Sequence, residues 1–97
     1  MAKGPESLVK KRVRGLLEEF NCWFFMPFMT GVGNAGVPDF VGIHKGRGFA
    51  VECKAGKNKP TMLQARELGR IVQAEGFAIV VNETEGMAAL YEWLKNG

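Results

Sequence analysis

Asp39, Glu52 and Lys54 stand in segments whose other residues are mostly apolar, within the stretch VPDFVGIHKGRGFAVECKAG that runs from Val37 to Gly56. Carboxylates and ammonium groups are rarely buried unless paired, so a chain that sets them into strand-like runs has a use for them there. DFVGIH reads as one strand and GFAVECK as the next, with KGRG, Lys45 to Gly48, as the hairpin turn between them. The hairpin brings the start of one strand to the end of the other and so Asp39 towards Glu52. Two neighbouring carboxylates repel unless something cationic lies between them. A hard divalent ion with oxygen ligands is the natural answer, and Mg²⁺ is commonly held by one or two carboxylates plus water and substrate phosphate oxygens. Side chains alternate along a strand, so Glu52 and Lys54 share a face while Cys53 takes the other. A cation that acidifies bound water, beside an ammonium that can steady a phosphate, describes a phosphodiester hydrolase. A lone Glu-x-Lys is a common surface ion pair; Pro-Asp, a hairpin, and then Glu-Cys-Lys is a more specific arrangement.

The elements that must position these residues follow from periodicity. A first helix is expected from about Pro5 to Phe20, with Leu8, Val9, Val13, Leu16, Leu17 and Phe20 recurring at three- and four-residue spacing. Pro5 suits a first helical position. CWFFMPFM, Cys22 to Met29, reads as an aromatic-rich strand that Pro27 pushes towards a sheet edge. TGVGNAG, Thr30 to Gly36, is a loop. After the hairpin and the basic loop AGKNKP, a second helix is expected from about Thr61 to Glu75, stopped at Gly76. FAIVVN is a continuous apolar run and reads as a buried strand. A last helix, from about Thr84 to Lys95, carries Met87, Leu90, Tyr91 and Leu94 on one face. The order α-β-β-β-α-β-α implies an antiparallel meander whose third strand lies parallel to the fourth, giving a mixed four-stranded sheet flanked by helices. The length, 97 residues, fits one domain, residues 1–97.

In this order and spacing, NAGVPDF, AVECKAG and TMLQARELGRIVQAEGFAIVV resemble the VRR-NUC family of the PD-(D/E)-x-K nuclease superfamily, over a region from about Glu6 to Val81. The resemblance implies a restriction-endonuclease-like α-β-β-β-α-β core with an extra C-terminal helix. It implies that Asp39 and Glu52 ligate Mg²⁺ or Mn²⁺, that the backbone carbonyl of Cys53 adds a ligand, and that Lys54 positions the attacking water or stabilises charge. Gln64 would reach back from the second helix to the site; T-x-x-Q from Thr61 also fits a capping box, and both readings stand. Glu6 matches an acidic residue that related nucleases carry on the first helix; its plainer role is to stabilise the helix dipole from the first turn. The resemblance further implies a branched DNA substrate, in particular a four-way (Holliday) junction.

A net charge of +3 and a pI of about 9.1 lean mildly towards polyanions. Lys10, Lys11, Arg14, Lys45, Arg47, Lys57 and Lys59 are the candidate phosphate contacts. Junction resolution needs two symmetric nicks, which a two-fold homodimer would supply. Alternation in CWFFMPFM would leave about half of its large apolar side chains for such an interface. His44, the only histidine, is expected on the hairpin surface. Cys22 and Cys53 are too few for a disulfide framework and read as buried free thiols. No apolar core follows the basic N-terminal residues and no run is long enough to span a bilayer, so the expected compartment is the cytoplasm of a bacterial or phage-infected cell, with no membrane partner. A non-catalytic DNA-binding module and a restriction-type duplex endonuclease are the competing readings.

Overall fold

The computed structural model describes residues 4–27 and 36–97. The elements are α1 (Pro5–Glu19), β1 (Trp23–Phe25), β2 (Phe40–His44), β3 (Arg47–Cys53), α2 (Met62–Gln73), β4 (Phe77–Val81) and α3 (Met87–Asn96). Their order and types are those expected. The end of the aromatic segment, Phe28 and Met29, and nearly all of the glycine-rich loop lie outside the described residues. The sheet is mixed, in the order β1-β2-β3-β4. β1–β2 and β2–β3 are antiparallel and β3–β4 is parallel, because α2 carries the chain from β3 back to the start of β4.

One face of the sheet holds the core. Phe40, Phe49, Val51, Cys53 and Val81 meet Val9, Val13 and Leu17 of α1 and Leu90 and Leu94 of α3. Burying each large apolar side chain of this kind contributes about 1.5–3 kcal/mol. Phe77 and Trp93 stack at 4.6 Å on the edge of this core. On the opposite face α2 packs over β3 and β4, and none of its residues is fully buried. Among the described residues no helix packs over the β1–β2 half of that face. Trp23 is 64% exposed, Phe25 48% and Ile43 51%, with Trp23 paired to Ile43 and Phe25 to Val41.

Three local features differ from expectation. The hairpin turn is tighter, since Arg47 pairs with His44. The two-residue loop Lys45-Gly46 has φ of 53° and 81°, the positive pair that a type I′ turn needs. His44 is buried, not on the surface. It lies on the core face with Phe40, donates from Nε2 to the Leu94 carbonyl at 2.9 Å, and approaches Cys22 Sγ with Nδ1 at 3.5 Å. Cys22 itself is only half-buried.

The third feature is the end of α2. The residue in the left-handed region is Glu75, at φ 70°, and not Gly76. Gly76 is needed for another reason: a Cβ there would stand 2.9 Å from Ile71 Cγ2 and 3.3 Å from the Gly48 carbonyl oxygen. Its N–H donates to the Ile71 carbonyl at 2.9 Å and closes the helix. A non-glycine residue in this conformation is strained by about 1–2 kcal/mol, partly offset by the chain entropy that glycine loses on folding. Glu75→Gly is therefore expected to stabilise the protein by about 0.5–1 kcal/mol, read as a higher thermal midpoint; an unchanged or lower midpoint would contradict this account of the helix end.

Candidate functional site

The site forms where the β2–β3 ladder ends. Phe40 pairs with Val51, so the next step of the register sets Asp39 against Glu52. Asp39 lies just before β2, and its Oδ2 accepts the Cys53 N–H at 2.8 Å. The side chain thereby caps the ladder and fixes its own orientation. Lys54 follows β3 directly, and its backbone N–H donates to the Val81 carbonyl at 2.9 Å. That bond holds the start of the basic loop to β4.

Glu52 is 2% exposed. Its Oε2 lies 3.5 Å from Lys54 Nζ, so the shared face expected from alternation is realised. Its Oε1 is buried without a hydrogen-bond partner. A buried polar atom left so costs about 1–3 kcal/mol, more when charged. Burial, and after it the negative charge of Asp39, push the Glu52 carboxyl up to about 7, against the pull of the Lys54 ammonium; Glu6 adds a smaller push. The Cys53 thiol points into the core and is pushed up to about 12, first by burial and then by Asp39 and Glu52. The Cys53 side chain is turned into the core, away from the face that carries Glu52, so only its backbone is offered to the site.

Glu6 and Lys10 bring α1 to the same place. Lys10 Nζ is 3.6 Å from Asp39 Oδ1 and 3.9 Å from Glu6 Oε2. Lys10, read from the sequence as a phosphate contact, thus stands among the carboxylates. Its position beside the buried stripe of Val9, Val13 and Leu17 is the signal that could have placed it there. The first turn of α2 meets the chain at Gly36, three residues before Asp39: a Cβ on Gly36 would lie 2.6 Å from the Leu63 carbonyl oxygen. The Gln64 side chain, however, is turned to the helix end. Its Oε1 accepts from the Thr61 N–H at 2.9 Å while Thr61 Oγ1 accepts from the Gln64 N–H at 3.1 Å. Of the two readings of Gln64, the capping box is the contact made.

The candidate DNA contacts divide into two groups. Lys57 and Lys59 are exposed in the loop that follows Lys54, which Glu83 pins by accepting from the Gly56 N–H at 2.8 Å. Lys11 and Arg14 are exposed on α1, with Arg14 Nε 3.3 Å from Glu18 Oε2. Lys45 and Arg47 sit at the hairpin turn, at the other end of β3, which is about 17 Å from Glu52 at the rise of a strand. The Arg47 guanidinium lies 4.3 Å over the Trp93 ring and donates to the Trp93 carbonyl at 3.3 Å. These two stand apart from the lysines near the carboxylates, because the strand carries them to its other end.

Compared with protein-family models and with curated proteins, the chain matches none. Among the described residues no group of three or more His, Cys, Asp and Glu side chains is gathered as a metal cage. The donor set is an open one: two carboxylates, a backbone carbonyl and a nearby third carboxylate on α1. That suits a hard cation that keeps several waters, and the partnerless Glu52 Oε1 is the observation that fits it.

The raised Glu52 carboxyl makes metal-free stability depend on pH. A carboxyl whose folded value lies above its unfolded one favours folding most when protonated. Its contribution is complete below about 4.5 and is lost as pH rises to about 7. Stability in chelator, read from thermal midpoints, is expected to fall across that window, by at most about 1.4 kcal/mol per pH unit for one proton. Glu52→Gln should flatten the fall; a variant with the wild-type pH profile would contradict the assignment.

Proposed function

We propose that this protein is a divalent-metal-dependent endodeoxyribonuclease of the VRR-NUC kind, with a restriction-endonuclease-like core. The observation that carries the reading is the convergence of Asp39 and Glu52, with a buried, partnerless oxygen on Glu52 and Lys54 on its other oxygen. The element order and mixed sheet support the core assignment. Asp39 Oδ1, Glu52 Oε1 and the Cys53 carbonyl would hold Mg²⁺ or Mn²⁺, with Glu6, which shares Lys10 with Asp39, to complete the shell or serve a second ion. Bound there, the cation supplies a water of lowered pKa and neutralises charge on the phosphate. Lys54, held by the β4 bond behind it and by Glu52, presents its ammonium to the attacking water or to the scissile phosphate. Lys11, Arg14, Lys57 and Lys59 attract the backbone, with affinity that falls steeply with salt. Lys10 joins them once it is free of Asp39.

The substrate proposed is branched DNA, in particular a four-way junction cut by a homodimer. The open apolar face of Trp23, Phe25 and Ile43 supports a protein interface, since monomers rarely leave a contiguous patch of such residues in water. Among the described residues no helix is long and apolar enough to cross a membrane. The two free thiols suit the reducing cytoplasm of a bacterial or phage-infected cell. Sedimentation at micromolar concentration, with cleavage mapped on a junction whose arms are individually labelled, tests both claims. A dimer and paired nicks on opposing strands are expected. A monomer, or nicks on one strand with no preference over linear duplex, would reduce the proposal to a general metal-dependent DNase.

A further inference from the structure

The two lysines at the carboxylates are not equivalent. Lys54 contacts Glu52 through Oε2 and leaves Oε1 without a partner. Asp39 has no such spare oxygen. Its Oδ2 is taken by the Cys53 N–H, and Lys10 Nζ stands 3.6 Å from the remaining Oδ1, with Glu6 Oε2 3.9 Å away on the other side. Both separations exceed the 2.7–2.9 Å of a charge-assisted hydrogen bond. The ammonium is lodged between two carboxylates by charge, without a short bond to either.

We infer that Lys10 is a built-in counter-ion that stands on the Asp39 oxygen the metal would use, and that a divalent cation binds there only by displacing it. The inference rests on the reading of Asp39 and Glu52 as a metal centre. A hard cation would lie about 2.0–2.4 Å from Asp39 Oδ1, and an ammonium on that oxygen would then be a like charge a few ångströms away. Lys10 can leave because its stem runs from α1 with the side chain partly open to water. Its charge lowers the repulsion between Glu6 and Asp39 in the metal-free protein. The same charge must therefore weaken metal binding, since whatever stabilises the metal-free state alone opposes the bound one. Lys10 thus sets the cation concentration at which the site fills.

The test is metal affinity measured by titration calorimetry with Mn²⁺ and with Mg²⁺, and metal-free thermal stability in chelator, for wild type, Lys10→Met, Lys10→Gln, Lys10→Arg and Glu52→Gln. Lys10→Met and Lys10→Gln are expected to bind the cation about 1.5- to fivefold more tightly, the range of a partly exposed ion pair. Their metal-free midpoints should fall, so that the metal-induced rise in midpoint grows. Lys10→Arg, which keeps the charge, should stay near wild type on both readouts. Unchanged or weaker metal binding in Lys10→Met and Lys10→Gln, with binding lost in Glu52→Gln, would overturn the inference and leave the metal centre standing. Absence of binding in wild type and every variant would remove the metal centre and the inference with it.

Discussion

Glu52→Gln is expected to abolish DNA cleavage while leaving a folded and more stable protein. The substitution keeps the size of the side chain and removes the charge. The proposed cation site loses its one buried carboxylate, and activity should fall by about a thousandfold or more, which corresponds to roughly 4 kcal/mol of transition-state stabilisation. Stability should move the other way. Above pH 7 the wild type holds an ionised, nearly fully buried carboxylate whose Oε1 has no partner, and a neutral amide is easier to bury. A structural ion pair with Lys54 predicts the opposite pattern, in which losing the charge destabilises the fold and leaves function alone. Cleavage assays and thermal denaturation on the same preparation separate the two. Near-wild-type cleavage at ordinary Mg²⁺ would refute the metal-ligand role.

Lys54→Ala is expected to reduce turnover by about a hundredfold or more, with metal binding largely retained. In the proposed reaction the ammonium acts on water or phosphate, and such a positioned charge is worth several kcal/mol in a site shielded from solvent. One side effect has a known direction. Lys54 pulls the Glu52 carboxyl down, so its removal favours the protonated acid and weakens metal binding near neutrality. The comparison belongs at pH 8.5 and saturating metal, where that effect is removed. Lost metal affinity there, with full turnover once metal is supplied, would reverse the role assigned to Lys54.

Most of the architecture was legible from one-dimensional pattern. Val9, Val13 and Leu17 recur every four residues and are the buried stripe of α1; FAIVV is a strand between an α2 end and a turn. Asp39 and Glu52 were legible as neighbours because a short hairpin fixes which ends of two strands meet. The misjudged residues are those whose environment is made by distant segments. His44 adjoins a turn, yet it is buried because Leu94, fifty residues on, supplies a carbonyl to its Nε2. Nothing near Arg47 in the sequence shows that Trp93 of α3 lies under its guanidinium. Gly76 was identified as a special backbone position for the wrong reason, since the close approach of Ile71 and Gly48 is a tertiary fact. Lys10 was counted with its basic neighbours because a cluster of lysines does not show which of them faces Asp39 across the fold.

The most direct measurement for the central claim is cleavage of end-labelled four-way junction, flap and linear duplex DNA by the wild-type protein with Mg²⁺, with Mn²⁺ and with chelator. Asp39, Glu52 and Lys54 acting as a metal-dependent hydrolytic site predict phosphodiester cleavage that requires the divalent ion, disappears in chelator and in Glu52→Gln, and is strongest on the junction. Binding to these DNAs without cleavage under any metal condition, in a protein shown to be folded, would contradict the account and leave a DNA-binding module in its place.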